Sequence, residues 1–151
     1  MLVIGYGNPL RGDDGVGWHA ARCLEERYRE RRDARVHYSV VACHQLTPEL
    51  AEPVSRSALV LFIDACLGAP AGTLACQTIA PPPTPAPPGA FLHHLTPPSL
   101  LAWAQWCYGS CPARAMLLTV AGANFGYTEA LSPPVQAALP RLLNLVATLI
   151  P

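Results

Sequence analysis

Leu2–Gly17 reads LVIGYGNPLRGDDGVG, and the fold turns on how that stretch is parsed. Leu2-Val3-Ile4 is a short apolar run of the kind that forms a buried strand. Gly5 and Gly7 let the backbone turn tightly and approach other groups. Asn8-Pro9 is a turn dipeptide, and Gly12-Asp13-Asp14-Gly15 sets two adjacent carboxylates between glycines. From Val16 onward the pattern is helical. Two acids therefore sit in a glycine-rich loop between a first strand and a first helix. In an open α/β sheet, that loop is where ligands bind.

Working outward, Asp13 or Asp14 caps a helix expected to run to about Arg32, with Val16, Ala20, Cys23, Leu24 and Tyr28 at helical spacing. Val36 to Ala42 reads as a second strand, and Cys43-His44-Gln45-Leu46 as a loop. Thr47-Pro48-Glu49-Leu50 is a cap followed by Pro at the first helical position. Ala58 to Asp64, ALVLFID, is a continuous apolar run closed by an acid, the pattern of a central parallel strand covered on both faces. Thr73 to Ile79 reads as a fourth strand near an edge. Pro81 to Gly89, PPPTPAPPG, is a surface loop. Thr96-Pro97-Pro98 caps a helix to about Tyr108, with Trp103 and Trp106 in the core or at its rim. Ala115 to Ala121 is a last strand, and Gly122 to Glu129 a loop. Ser132-Pro133-Pro134 starts a final helix with Val135, Leu139, Leu142, Leu143 and Val146 on one face. The alternation predicts a three-layer α/β sandwich on a twisted, mostly parallel sheet of about five strands.

A chain of 151 residues suits one domain, here 1–151 with the Pro-rich loop at 81–89. The formal net charge is zero, with no basic stripe, which argues against nucleic acid as a partner. All ten basic residues are Arg, so no Lys is present to bind phosphate or form a Schiff base. Cys23, Cys43, Cys66, Cys76, Cys107 and Cys111 are scattered, and nothing reads as a signal peptide. Reduced thiols in a cytoplasmic protein are expected. Cys107 and Cys111 form a close pair without the second pair a zinc site needs, and read as core cysteines at a helix end. No apolar run is long enough for a transmembrane helix, so no membrane partner is expected.

Three clusters are expected on one sheet edge. Asp13 and Asp14 follow the first strand, Asp64 ends the third, and His93 and His94 follow the fourth strand and its loop. Carboxylate, carboxylate and imidazole suit a divalent transition metal with open positions, or acid–base work without metal. Each residue also has a structural reading. Asp13 suits a helix cap, and Asp14 a solvated first-turn acid favoured by the helix dipole. Asp64 closing a buried strand costs free energy unless paired, though it could cap the following turn. Adjacent His93 and His94 point different ways, so at most one is a ligand. His19 lies on the first helix, His37 on a strand, and His44 in a loop within range of the crevice.

GYGNPLRGDDGVG, the ID ending at Asp64, HHLTPPSLL from His93 and the C-terminal LSPPVQAAL together resemble the hydrogenase maturation endopeptidases. The resemblance spans nearly the whole chain in the right order. It implies a twisted, mostly parallel sheet between helices. It also implies a protease that clips a C-terminal extension from the large-subunit precursor of a nickel–iron hydrogenase once nickel is inserted. The metal ligands and catalytic residues it implies are Asp14, Asp64 and His93, with His94 as the alternative. The first acid is Glu in several relatives, so Asp14 has a shorter reach. Many relatives carry a Gly-rich segment where this chain has Cys43-His44-Gln45. Nickel is expected to arrive on the precursor, with cadmium or zinc as surrogates, and the protease is expected to be a monomer.

Other readings are narrower. A phosphoacceptor receiver domain also carries an acid pair and an Asp ending its third strand, but needs a Lys that this chain lacks. A dinucleotide site would want a third glycine where Leu10 stands, and two acids there would repel a pyrophosphate. A non-catalytic α/β domain that binds a partner protein would tolerate loss of Asp64. Neither a GxSxG elbow nor a His-Glu-x-x-His helix is present, so serine hydrolases and zincins are not supported.

Overall fold

The computed structural model describes residues 1–30, 38–83 and 95–150. Leu2–Tyr6 forms the opening strand (β1), and a 3₁₀ turn over Gly12–Gly15 leads into helix α1, Val16–Glu30. Ser39–Cys43 is β2, Ala51–Ser55 is α2 after a 3₁₀ turn at Pro48–Leu50, and Leu59–Cys66 is β3. Leu74–Ile79 is β4, Pro97–Tyr108 is α3, Arg114–Ala121 is β5 and Pro133–Leu149 is α4. The strands form one sheet in the order β2-β1-β3-β5-β4. β1, β2, β3 and β5 are parallel, whereas β4 pairs antiparallel with β5.

Side-chain alternation builds the two outer layers. On one face Val3, Leu61, Ile63, Leu118 and Val120 pack against Val16, Ala20 and Leu24 of α1 and Val135, Leu142 and Val146 of α4. On the other, Leu2, Ile4, Val60, Phe62 and Ala115 pack against Ala51 and Val54 of α2 and Leu100, Leu101 and Ala104 of α3. The continuous apolar run of β3 follows from this burial on both faces. The start of α1 is wedged between β1 and β3, where a Cβ on Gly17 would collide with the carbonyl oxygens of Tyr6 and Ile63. Gly7 adopts φ 131°, a left-handed conformation that an L side chain resists.

β4 is an edge strand, as expected, and the antiparallel member of this mostly parallel sheet, which matters for the site. Residues 67–73 are too few for a crossover, which takes a dozen or more. The chain therefore turns back, and Ile79 ends beside Ala115 at the start of β5. The end of β4 lies on the edge opposite the carboxyl ends of the parallel strands. Following the fourth strand is thus no reason for His93 and His94 to share an edge with the acids; both lie outside the described residues, as do His37 and most of the Pro-rich loop.

Helix α3 restores the connection. Its C-terminal end leads into β5, and Ser110 Oγ just beyond it donates to the Ser55 carbonyl at the end of α2. Twelve helical residues span roughly 18 Å, so the N-terminus of α3 stands toward the carboxyl edge. Thr96 caps that terminus, its Oγ1 accepting from Ser99 N at 3.3 Å. Trp103 packs at the core's margin as expected, but Trp106 is 63% exposed. Cys107 is likewise exposed rather than in the core, and the described cysteines are free.

Candidate active site

The strand order reverses direction at β1: the chain steps from β1 outward to β2, then back across to β3. This leaves a crevice at the carboxyl ends of β1 and β3, the usual ligand position in an open α/β sheet. Asp14 enters it from the 3₁₀ turn after β1, and Asp64 from β3 itself.

Asp64 belongs to the face that carries Val60 and Phe62, toward α2 and α3. Its Oδ1 accepts from the Ala65 N–H at 2.7 Å, and the Tyr6 hydroxyl lies near enough to influence its charge. Burial pushes the Asp64 carboxyl up to about 6; the Tyr6 hydroxyl and the Ala65 N–H pull against that, and the charge of Asp14 adds to it. The two acids therefore feel each other across the crevice. Asp14 is half-buried, and its Oδ2 accepts from the Asn8 N–H at 2.8 Å, so it is held rather than freely solvated.

Asp13 does not cap the first helix. It is fully buried and turned the other way, toward the segment after β5. Its carboxylate accepts from Ala123 N at 2.7 Å, Asn124 N at 2.9 Å, Ser132 N at 2.7 Å and Ser132 Oγ at 2.7 Å. Backbone bonds Gly12 N to Thr128 O and Asp13 N to Asn124 O run beside it. Adjacent acids thus have opposite duties: Asp13 ties two loops together, which leaves Asp14 in the crevice.

This architecture has clear counterparts among solved structures. A [NiFe] hydrogenase maturation protease, HycI, from Thermococcus kodakarensis superposes with a TM-score of 0.71 at 22% identity, over 99% of this chain and 90% of that one. A hydrogenase 2 maturation peptidase from a Thaumarchaeota archaeon gives 0.67 at 22%, over 98% and 95%. The hydrogenase maturating endopeptidase HybD from E. coli gives 0.63 at 20%, over 98% and 90%. This is the fold of the hydrogenase maturation proteases. No family model matches the chain, and no curated protein matches it in sequence. The maturation-protease fold differs at β4 from the receiver arrangement, in which the strand order 2-1-3-4-5 is parallel throughout.

Within this maturation-protease fold, Asp14 and Asp64 come together. His93 and His94 lie outside the described residues, His44 is exposed in the loop after β2, and His19 packs edge-on against Trp18 at 5.1 Å. Among the described residues, no three His, Cys, Asp or Glu side chains gather closely enough to hold a metal ion. The crevice supplies two oxygen donors and leaves any further ligand to other groups. Cys43 pairs in register with Tyr6, but burial pushes its thiol up to about 11, so it is no thiolate nucleophile. Sequence reasoning missed Tyr6 and Ser132. Parity along β1 could have found Tyr6, since Leu2, Ile4 and Tyr6 share a face.

Proposed function

We propose that this chain is an endopeptidase that removes the C-terminal extension from the nickel-loaded large-subunit precursor of a nickel–iron hydrogenase. One observation carries the reading: two carboxylates, Asp14 and Asp64, share the β1/β3 crevice of a maturation-protease fold that spans nearly the whole chain. Asp14, Asp64 and His93 are the residues assigned to the site, with His94 as the alternative. His93 precedes the Thr96 cap by three residues, and three residues reach at most about 10 Å. In this reading an imidazole from that segment is the third donor.

Nickel would enter as part of the substrate, held by the precursor, as the element the protease recognises; bound there it would also be placed to supply Lewis acidity toward the scissile carbonyl. The oxygen donors of Asp14 and Asp64, with one imidazole, suit nickel, and suit cadmium or zinc as surrogates. Water is the attacking group, because no activated Ser or Cys stands in the crevice among the described residues. Asp64, ionised above about pH 6, accepts its proton. The protein is read as a cytoplasmic monomer that meets its precursor transiently. No helix among the described residues is long and apolar enough to cross a membrane.

The test is to incubate purified precursor, with and without bound nickel, and weigh the large subunit. Loss of one C-terminal peptide from the nickel-loaded form alone is the expected result. Equal cutting of both forms removes the metal-dependent recognition, and no cutting of either removes the protease assignment.

A further inference from the structure

Among the described residues, the exposed large apolar side chains fall in two places. Trp106 and Tyr108 lie at the C-terminal end of α3, toward the edge where β5 begins. Leu10, Leu67 and Tyr127, exposed to 53%, 77% and 95%, follow the carboxyl ends of β1, β3 and β5. Leu10 stands four residues before Asp14, and Leu67 three residues after Asp64. Asn8 supports both Leu10 and Asp14: its N–H donates to Asp14 Oδ2 at 2.8 Å, and its Oδ1 accepts from the Leu10 N–H at 2.9 Å. Arg11 bridges in parallel to Thr128, and the Thr128 N–H donates to the Leu10 carbonyl, so Tyr127 is the register neighbour of Leu10. The Gly122 N–H donates to the Cys66 carbonyl, so the segment leading to Tyr127 starts beside Leu67.

Single exposed apolar residues are ordinary, but a group of them on one edge marks a contact surface. The segment that carries Tyr127 is also tied down. The buried Asp13 carboxylate holds Ala123, Asn124 and Ser132, and Asn124 Oδ1 accepts from the Gly126 N–H at 2.9 Å. An aromatic ring held in solvent on an anchored backbone loses little freedom on binding, and tyrosine is a frequent anchor of protein interfaces.

We propose that Leu10, Leu67 and Tyr127 form an apolar rim that seats an apolar segment of the precursor protein beside the bond presented to Asp14 and Asp64. The occupant follows from continuity. A protein that brings a peptide bond between the two acids must cover the loops that flank them, and the rim stands on those loops. The identity of the partner rests on the proposed protease reading. The contact is apolar, so it adds affinity without nickel and varies little with ionic strength.

The test uses purified precursor and a variant carrying Leu10→Ser, Leu67→Ser and Tyr127→Ser, with Tyr127→Ser alone beside it. Tyr108→Ser, at the far end of α3, is the control. With nickel-free precursor, biolayer interferometry is expected to show Kd raised about tenfold or more in the triple variant, raised less in Tyr127→Ser and unchanged in the control. Tyr127→Phe, which keeps the ring, is expected to bind like wild type. With nickel-loaded precursor the loss is expected in KM rather than kcat. Thermal midpoints should stay near wild type, because the replaced side chains are exposed. A wild-type Kd in the triple variant, or an equal loss in Tyr108→Ser, overturns the rim. If the wild type binds the precursor but cuts neither form, the protease reading fails while the Kd comparison still decides the rim. If the wild type does not bind the precursor at all, the rim is overturned.

Discussion

Ser132 reaches Asp13 across 119 residues of chain and donates to it twice, through its backbone N–H to Oδ1 and through its hydroxyl to Oδ2, both at 2.7 Å. Ser132 occupies the cap position of α4, yet its hydroxyl makes no cap bond to that helix. It serves the buried carboxylate instead. The loop that carries Asp14 is therefore fixed to the far end of the sequence, and the order of the site depends on the entry to the last helix.

Asp13→Asn is expected to destabilise the fold by roughly 3 kcal/mol, although it is nearly isosteric. The amide must turn an N–H₂ toward donors that the carboxylate satisfied, and buried donors without acceptors cost about 1–3 kcal/mol each. Urea denaturation checks this. A midpoint equal to wild type would show that the four bonds contribute nothing net.

The same carboxylate gives the fold an acid limb. Burial acts to raise the Asp13 pKa, but the bonds from Asn124, Ser132 and Ala123 outweigh it and hold it below the usual range. The folded state thus binds its proton more weakly than the unfolded chain does. The resulting stability is fully present above the unfolded value, near pH 4, and is lost as pH falls through the folded value. Thermal midpoints are expected to drop below about pH 4 in the wild type and to drop less in Asp13→Asn.

What was legible in the sequence follows the range of the interaction. The buried strand at Leu2-Val3-Ile4 and the run closed by Asp64 are local patterns, and both strands lie where those patterns put them, although β3 continues to Cys66. The direction of β4 is not encoded in its alternation; the short link over residues 67–73 carries that signal. Asp13 reads locally as a helix cap because its partners, Ala123, Asn124 and Ser132, are more than a hundred residues away. Asp14 and Asp64 could be paired in advance because parallel strands bring their carboxyl ends to one edge, a rule that needs no side-chain detail. Tyr6 needed the β1–β3 register as well.

Pro140 stands inside α4 on an exposed position. It cannot donate to the carbonyl one turn earlier, and its ring crowds that turn, at a cost of about 3 kcal/mol in a regular helix. Relaxed geometry and the restricted unfolded chain offset part of this. Pro140→Ala is expected to stabilise the protein by about 1 kcal/mol or more, with activity unchanged. Calorimetry checks it, and a lowered midpoint would mean that the helix has adapted fully to the proline.

Asp64→Asn should separate stability from function, because the two effects have opposite signs. Burial raises the folded-state pKa of Asp64 to about 6, above its ordinary value of 3.8. The folded state then holds the proton more tightly than the unfolded chain, so stability declines as pH rises from about 4 to about 6. At neutral pH the ionised carboxylate is a burden on the fold. The shift sets a ceiling near 3 kcal/mol, and partial exposure lowers the expected figure to on the order of 1 kcal/mol. Asparagine keeps the shape and its Oδ1 can still accept from Ala65, but it carries no charge into the crevice with Asp14. The variant is therefore expected to be more stable than wild type at pH 8 and no more stable at pH 4. Its cleavage of nickel-loaded precursor is expected to fall by at least about 100-fold, the scale of losing a general base. Denaturation at both pH values, beside a cleavage assay, reads the two effects together. Wild-type activity in the variant would remove Asp64 from the site, and a loss of stability at pH 8 would mean that its charge is compensated within the fold.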